Sequence, residues 1–219
     1  MKTIVRLSLA VLALGLMADV ASAQLSGLPA YNYVPAAAGV TVSGMFGRGL
    51  NNASGKVNSA GGMITYGAQM FWVGAGASYM DFSTAKIPSF GGNVGVNLPL
   101  GPSLPVKVAA VAGLGYASKS GYKTMTVPAG VTLALDVPSP SVSVTPWVSP
   151  GIRYLRVDPG TGTWASTTKF GLSGGVSVTL PMGVGIDAAL DYTNISGASP
   201  LVGGIGLHYT FKTGGMGGM

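Results

Sequence analysis

Leu201-Val202-Gly203-Gly204-Ile205-Gly206-Leu207-His208-Tyr209-Thr210-Phe211 decides how the rest of the chain is read. With period two, Leu201, Ile205, Leu207, Tyr209 and Phe211 share one face. Val202, Gly204, Gly206, His208 and Thr210 share the other. A strand of about ten residues, apolar on one side, small or polar on the other and ending in aromatics, has the pattern of a transmembrane β-strand.

Composition supports that reading. Charged residues are 8% of the chain, against roughly 25% in ordinary globular proteins. Gly numbers 36 of 219 residues, and mean hydropathy is +0.48. A soluble domain so poor in charge would expose large apolar patches and aggregate. After residue 23, no stretch approaches the ~20 continuous apolar residues of a membrane helix. A hydrophobic chain without a hydrophobic helix is accommodated by alternating strands closed into a barrel, where no backbone edge meets lipid.

The front of the chain points to export. Lys2 and Arg6 precede the apolar run Leu7–Met17, and Ala21-Ser22-Ala23 is a small-x-small cleavage site. These are the three regions of a secretory signal peptide, with cleavage expected before Gln24. The apolar run is about eleven residues, too short to span a bilayer as a helix. The chain has no Cys, which excludes a lipoprotein anchor, disulfides and thiolate metal sites. Net charge is +6, or +5 once Lys2, Arg6 and Asp19 leave with the signal. No Lys/Arg cluster is present to grip a phosphate backbone, so a nucleic-acid role is not expected.

Four regions follow: signal peptide 1–23, periplasmic lead-in 24–38, transmembrane β-barrel 39–211 and Gly-rich tail 212–219. Within the barrel, alternation and turn chemistry place ten strands: Gly39–Gly49, Gly61–Gln69, Trp72–Phe82, Phe90–Leu98, Pro105–Ala117, Thr124–Val137, Val142–Val157, Lys169–Leu180, Val184–Asn194 and Leu201–Phe211. Tight, proline-set turns alternate with polar, mostly longer connections at Asn51–Ala60, Ser83–Ser89, Ser118–Lys123, Asp158–Thr168 and Ile195–Pro200, which read as outer loops. Met70-Phe71-Trp72 lacks turn residues; if that joint is not a turn, the count falls to eight. The expected fold is an all-β, up-and-down antiparallel barrel. A secreted or periplasmic β-sandwich is the alternative that keeps the alternation.

Thr145-Pro146-Trp147-Val148-Ser149-Pro150-Gly151-Ile152-Arg153-Tyr154 resembles a strand of small bacterial outer-membrane β-barrel proteins of the OmpA/OmpX-like type, as does Val108–Tyr116. The closing Tyr209 and Phe211 resemble the C-terminal signal by which such barrels are recognised for insertion. The resemblance implies a bacterial outer-membrane location, with outer-membrane lipid and the barrel-insertion machinery as partners. Two departures stand out. Arg153 replaces a frequent Gly, and Pro128, Pro146 and Pro150 fall inside strands, where each removes a ladder donor.

Candidate chemistry is sparse. The chain has one His and no Glu. His208 is the one residue able to act as a general base near neutral pH without a large pKa shift, and a Ser-His-acid triad would need Asp187 beside it. The favoured reading is a polar residue facing the lumen. Asp187 and Asp191 lie roughly 13 Å apart on one face, too far to share a proton, and are expected to meet Arg153 or Lys107. With Asp136 and His208 these residues form an expected lumen network: Lys107, Asp136, Arg153, Asp187, Asp191 and His208. Trp72, Trp147, Trp164 and most tyrosines are expected in interfacial girdles. No catalytic residue, metal or cofactor is expected. The expected role is that of a non-enzymatic outer-membrane barrel, structural or engaged in surface interactions, with a narrow passive channel for small solutes as the alternative. The extracellular ligand is left open.

Overall fold

The computed structural model describes residues 25–32, 38–68, 70–82, 85–99, 105–139 and 141–212. The signal peptide and the tail beyond Lys212 lie outside the described residues. Strands run as β1 Gly39–Gly49, β2 Asn58–Gly67, β3 Phe71–Phe82, β4 Ala85–Leu98, β5 Val106–Lys119, β6 Tyr122–Leu135, β7 Val137–Pro138, β8 Ser143–Pro159, β9 Ala165–Thr179, β10 Val184–Thr193 and β11 Leu201–Lys212. The two-residue β7 continues β6 past Asp136, so the segments make ten staves. All neighbours are antiparallel. β1 pairs with both β2 and β11, and β6 with both β5 and β8, so the sheet closes on itself. This closed sheet replaces the β-sandwich alternative and settles ten strands against eight.

The second and third strands are separate because the chain turns tightly at Ala68, whose N–H donates to the Phe71 carbonyl at 2.8 Å. The expected loops Ser83–Ser89 and Ser118–Lys123 are strand for most of their length. β4 starts at Ala85, and β5 and β6 meet through Ser120-Gly121, with φ of 51° and 86°. Positive φ at both central residues is what a hairpin turn matching the strand twist requires. These connections are polar because the strands run on beyond the ~10 residues a tilted membrane strand needs, not because they are loops.

The prolines leave gaps without shifting the register. Pairing of β5 with β6 skips from Ala112↔Ala129 to Gly115↔Thr126, across Pro128. Pairing of β6 with β8 skips from Gly130↔Gly151 to Leu133↔Val148, across Pro150, and ends at Trp147, before Pro146.

The outward parity carries the apolar set, including Val131, Leu133, Phe170, Leu172, Ile186, Leu190 and Phe211; Ile205 is 61% exposed and Leu207 64%. An apolar belt of this extent around a soluble body would aggregate, whereas lipid is its solvent. Among the described residues, no helix is long and apolar enough to cross a membrane.

Candidate functional site

The polar parity of β6, β8, β9, β10 and β11 converges on the lumen. Residues 25–32, expected in a periplasmic lead-in, lie inside it. Leu25, Ser26, Leu28, Ala30 and Asn32 are all buried. A segment with no strand partner must satisfy its backbone on the wall, and this one does so along its length. The Ser26 N–H donates to Ser89 Oγ at 3.0 Å, and Ser78 Oγ donates to the Ser26 carbonyl at 3.2 Å. The Ala30 N–H donates to Asp191 Oδ2 at 3.1 Å, and Asn32 Nδ2 to Ser149 Oγ at 3.3 Å. Wall glycines make the room: a Cβ at Gly47 would stand 2.7 Å from the Gly27 carbonyl, and one at Gly204 2.8 Å from Pro29 Cδ. Ser78 and Ser89 sit toward the barrel end distal to Gly39 and Lys212, so the segment lies in the lumen with Ser26 and Gly27 toward that end.

Apolar packing fills part of the lumen. Leu25, Leu28 and Met45 form one cluster. Trp72, Ala109, Val111, Ala134, Trp147 and Ala189 form a second, and Tyr31 packs against both. Trp72 and Trp147, expected in the girdle, therefore face inward; Trp147 has the parity of Arg153, which the alternation already placed in the lumen. A cavity of about 20 Å³ beside Ala30, Asn32, Ser149, Arg153 and Ser173 has room for a single water.

Two ion pairs and a histidine–carboxylate contact organise the wall. Arg153 and Asp191, 4% and 0% exposed, are in direct contact, and Arg153 also donates to Thr193 Oγ1 at 2.8 Å and Ser173 Oγ at 3.1 Å. A buried pair is tolerable only when its remaining donors and acceptors are satisfied. Here the last carboxylate oxygen takes the Ala30 N–H, which ties the pair to the threaded segment. Asp187, expected to meet Arg153 or Lys107, instead holds His208 Nδ1 at 2.7 Å. Lys107 meets Asp136 at 3.0 Å, and Ser143 Oγ donates to the same carboxylate at 3.2 Å. This pair is half-exposed, and its contribution is small.

Thr179 Oγ1 lies 3.2 Å from His208 Nε2, which sets a hydroxyl, an imidazole and a carboxylate in the order of a nucleophilic triad. Such chemistry also needs donors aimed at an oxyanion. The turn donors that follow Thr179 are spent: the Leu180 N–H on the Val184 carbonyl and the Gly183 N–H on the Leu180 carbonyl. The His208 ring also lies flat against Gly185, where any Cβ would collide with it. The geometry is that of a bracing contact. Among the described residues, no group of three or more His, Cys, Asp or Glu could hold a metal ion.

The sequence reading missed the lumenal segment and Thr179. The only signals for either were the apolar Leu25 and Leu28 between small residues, and the inward parity Thr179 shares with Ser177.

No family model and no curated protein matches the chain. Among solved structures it is similar to the N-terminal β-barrel domain of OprF from Pseudomonas aeruginosa, at 11% identity and a TM-score of 0.40 over 80% of this chain and 98% of that one. The outer-membrane enzyme PagL matches at 11% identity and a TM-score of 0.39 over 78% of this chain and 99% of that one. Ail, the attachment invasion locus protein of Yersinia pestis, matches at 13% identity and a TM-score of 0.34 over 80% and 97%. The closed ten-stave sheet and its apolar belt carry the conclusion without them: the chain folds as a small transmembrane β-barrel, the architecture of bacterial outer-membrane proteins.

Proposed function

We propose that the protein is a closed, non-enzymatic outer-membrane barrel with a structural or surface-interaction role. The observation that carries this reading is the threading of residues 25–32 through the lumen, with Ala30 bonded to the Arg153–Asp191 pair. A barrel of about eight strands already has an interior that side chains can fill, and here a chain segment and two tryptophans are added. The lumen network then serves to hold the segment and brace the wall. On assembly, Tyr209 and Phe211, stacked edge to face with centroids 4.6 Å apart, present the aromatic end of β11 to the insertion machinery and then to the lipid interface. Proteoliposomes carrying purified protein should swell in small sugars no faster than empty liposomes. Sugar entry at a porin-like rate would overturn the proposal in favour of the narrow passive channel.

A further inference from the structure

The outward wall formed by β9, β10, β11 and β1 is not smooth. Gly174 and Ala188 leave its floor bare and Gly203 lies beneath Leu50 and Leu190, while Phe46 and Ile205 stand at its sides. The result is a shallow, open apolar groove in the outer wall. Water does not occupy such a space within hydrocarbon.

Arg48 stands beside the groove, between Phe46 and Leu50 along the chain. It shares the outward parity of Phe46 and Leu50 and lies opposite Gly203 on one side and Asn58 on the other. It is the one charged residue on the outward parity of β9, β10, β11 and β1, and among the described residues its guanidinium takes part in no ion pair. An Arg on the lipid face costs about 2–4 kcal/mol at the bilayer midplane and about 0–1 kcal/mol at the interface, so Arg48 marks headgroup level. Insertion from the periplasm leaves the end of the C-terminal strand on that side, which puts Arg48 and the groove in the outer leaflet.

We infer that this groove seats an acyl chain of a phosphorylated outer-leaflet glycolipid, with the Arg48 guanidinium forking onto its phosphate. A planar fork matches phosphate oxygens in pairs, and the uncompensated cation selects an anionic head over a neutral one. The inference concerns the outside of the wall and stands apart from the closed lumen.

The test is binding of bisphosphorylated lipid A to the detergent-purified, folded protein, with dephosphorylated lipid A and phosphatidylglycerol as comparison probes. Arg48→Gln should weaken lipid A binding about fivefold, the share of one cation near a charged headgroup, and leave the dephosphorylated lipid unchanged. Gly174→Leu, whose new Cβ meets only ordinary contacts, should fill the groove and weaken both. Gly203→Leu repeats that arm, with Leu50 moving aside, and heat-modifiable migration verifies the fold of each variant. The inference is overturned by wild-type binding in both Arg48→Gln and the groove-filling variants. It is equally overturned by phosphatidylglycerol binding as tightly as lipid A, or by a protein dimer that groove filling dissociates.

Discussion

Replacing Asp191 with Ala removes the group on which wall and lumenal segment converge. The Arg153 guanidinium, 4% exposed, would keep its hydroxyl partners Thr193 and Ser173 and lose the one counter-charge it meets among the described residues. Breaking a buried pair from one side costs about 3–5 kcal/mol, because the remaining charge stays buried. The Ala30 N–H also loses its acceptor, a further penalty of about 1–3 kcal/mol where no water can reach it. The two are not additive, since Arg153 can relax toward the vacated space, so we expect a loss of about 3–5 kcal/mol in total. Asp191→Asn is the control: its amide oxygen can still accept from Ala30, so the segment stays in place while the charge term is lost. Urea unfolding in lipid vesicles, followed by Trp fluorescence, reads the cost directly, because Trp72 and Trp147 sit in the lumen. A loss below 1 kcal/mol for Asp191→Ala would refute the reasoning, since it would mean that the pair neither holds the segment nor suffers from its own burial.

Leu207→Arg, on the most exposed apolar position of β11, should cost about 2–4 kcal/mol in lipid vesicles by the same unfolding assay; a cost near zero would place that residue away from lipid. Phe211→Asp should block assembly, read as the fraction of heat-modifiable protein in outer-membrane preparations, and normal levels would remove the insertion role of the terminal aromatics. Gly185→Val should cost about 1–3 kcal/mol as an overpacking change, because its side chain would occupy the space of the His208 ring; His208→Ala in the same background should recover part of that loss. An epitope tag inserted before Leu25 should be reached by antibody on intact cells, because residues 25–27 run toward the distal end, and protection of that tag would reverse the threading direction.

Alternation was legible wherever lipid imposes it. The parity of Val127 to Leu135, of Phe170 to Val178 and of Val184 to Tyr192 reads off the chain, because one face must be apolar and the other must not. Past the lipid that constraint lapses. Lys86, Ser89, Ser118 and Lys123 are polar on both parities, and strand there looks like loop. The prolines misled less than expected: two consecutive pairs are lost at Pro128 and two at Pro150, and the pairs on either side hold the register. Tryptophan was read by its preference for interfaces, yet at Trp147 the parity shared with Arg153 was the stronger constraint.

The lumenal network was legible in its members and not in its pairing. His208 pairs with Gly185 and Asp187 with Gly206, so the two side chains are diagonal neighbours on one face of adjacent strands, which favours their contact over a longer reach to Arg153. The lumenal segment left no more than the trace of Leu25 and Leu28 between small residues. Its decisive bond joins Ala30 to Asp191, 161 residues away, and eight residues without periodicity carry no local sign of what they will pack against.

Planar-bilayer recording on the purified protein, paired with a variant whose mature chain starts at Tyr31, tests the closed lumen most directly. The account predicts a silent baseline for the full protein and discrete ohmic steps for the shortened one, since removing Leu25–Ala30 empties the upper lumen. Steady ohmic steps from the full protein, at the same conductance as the shortened one, would contradict it.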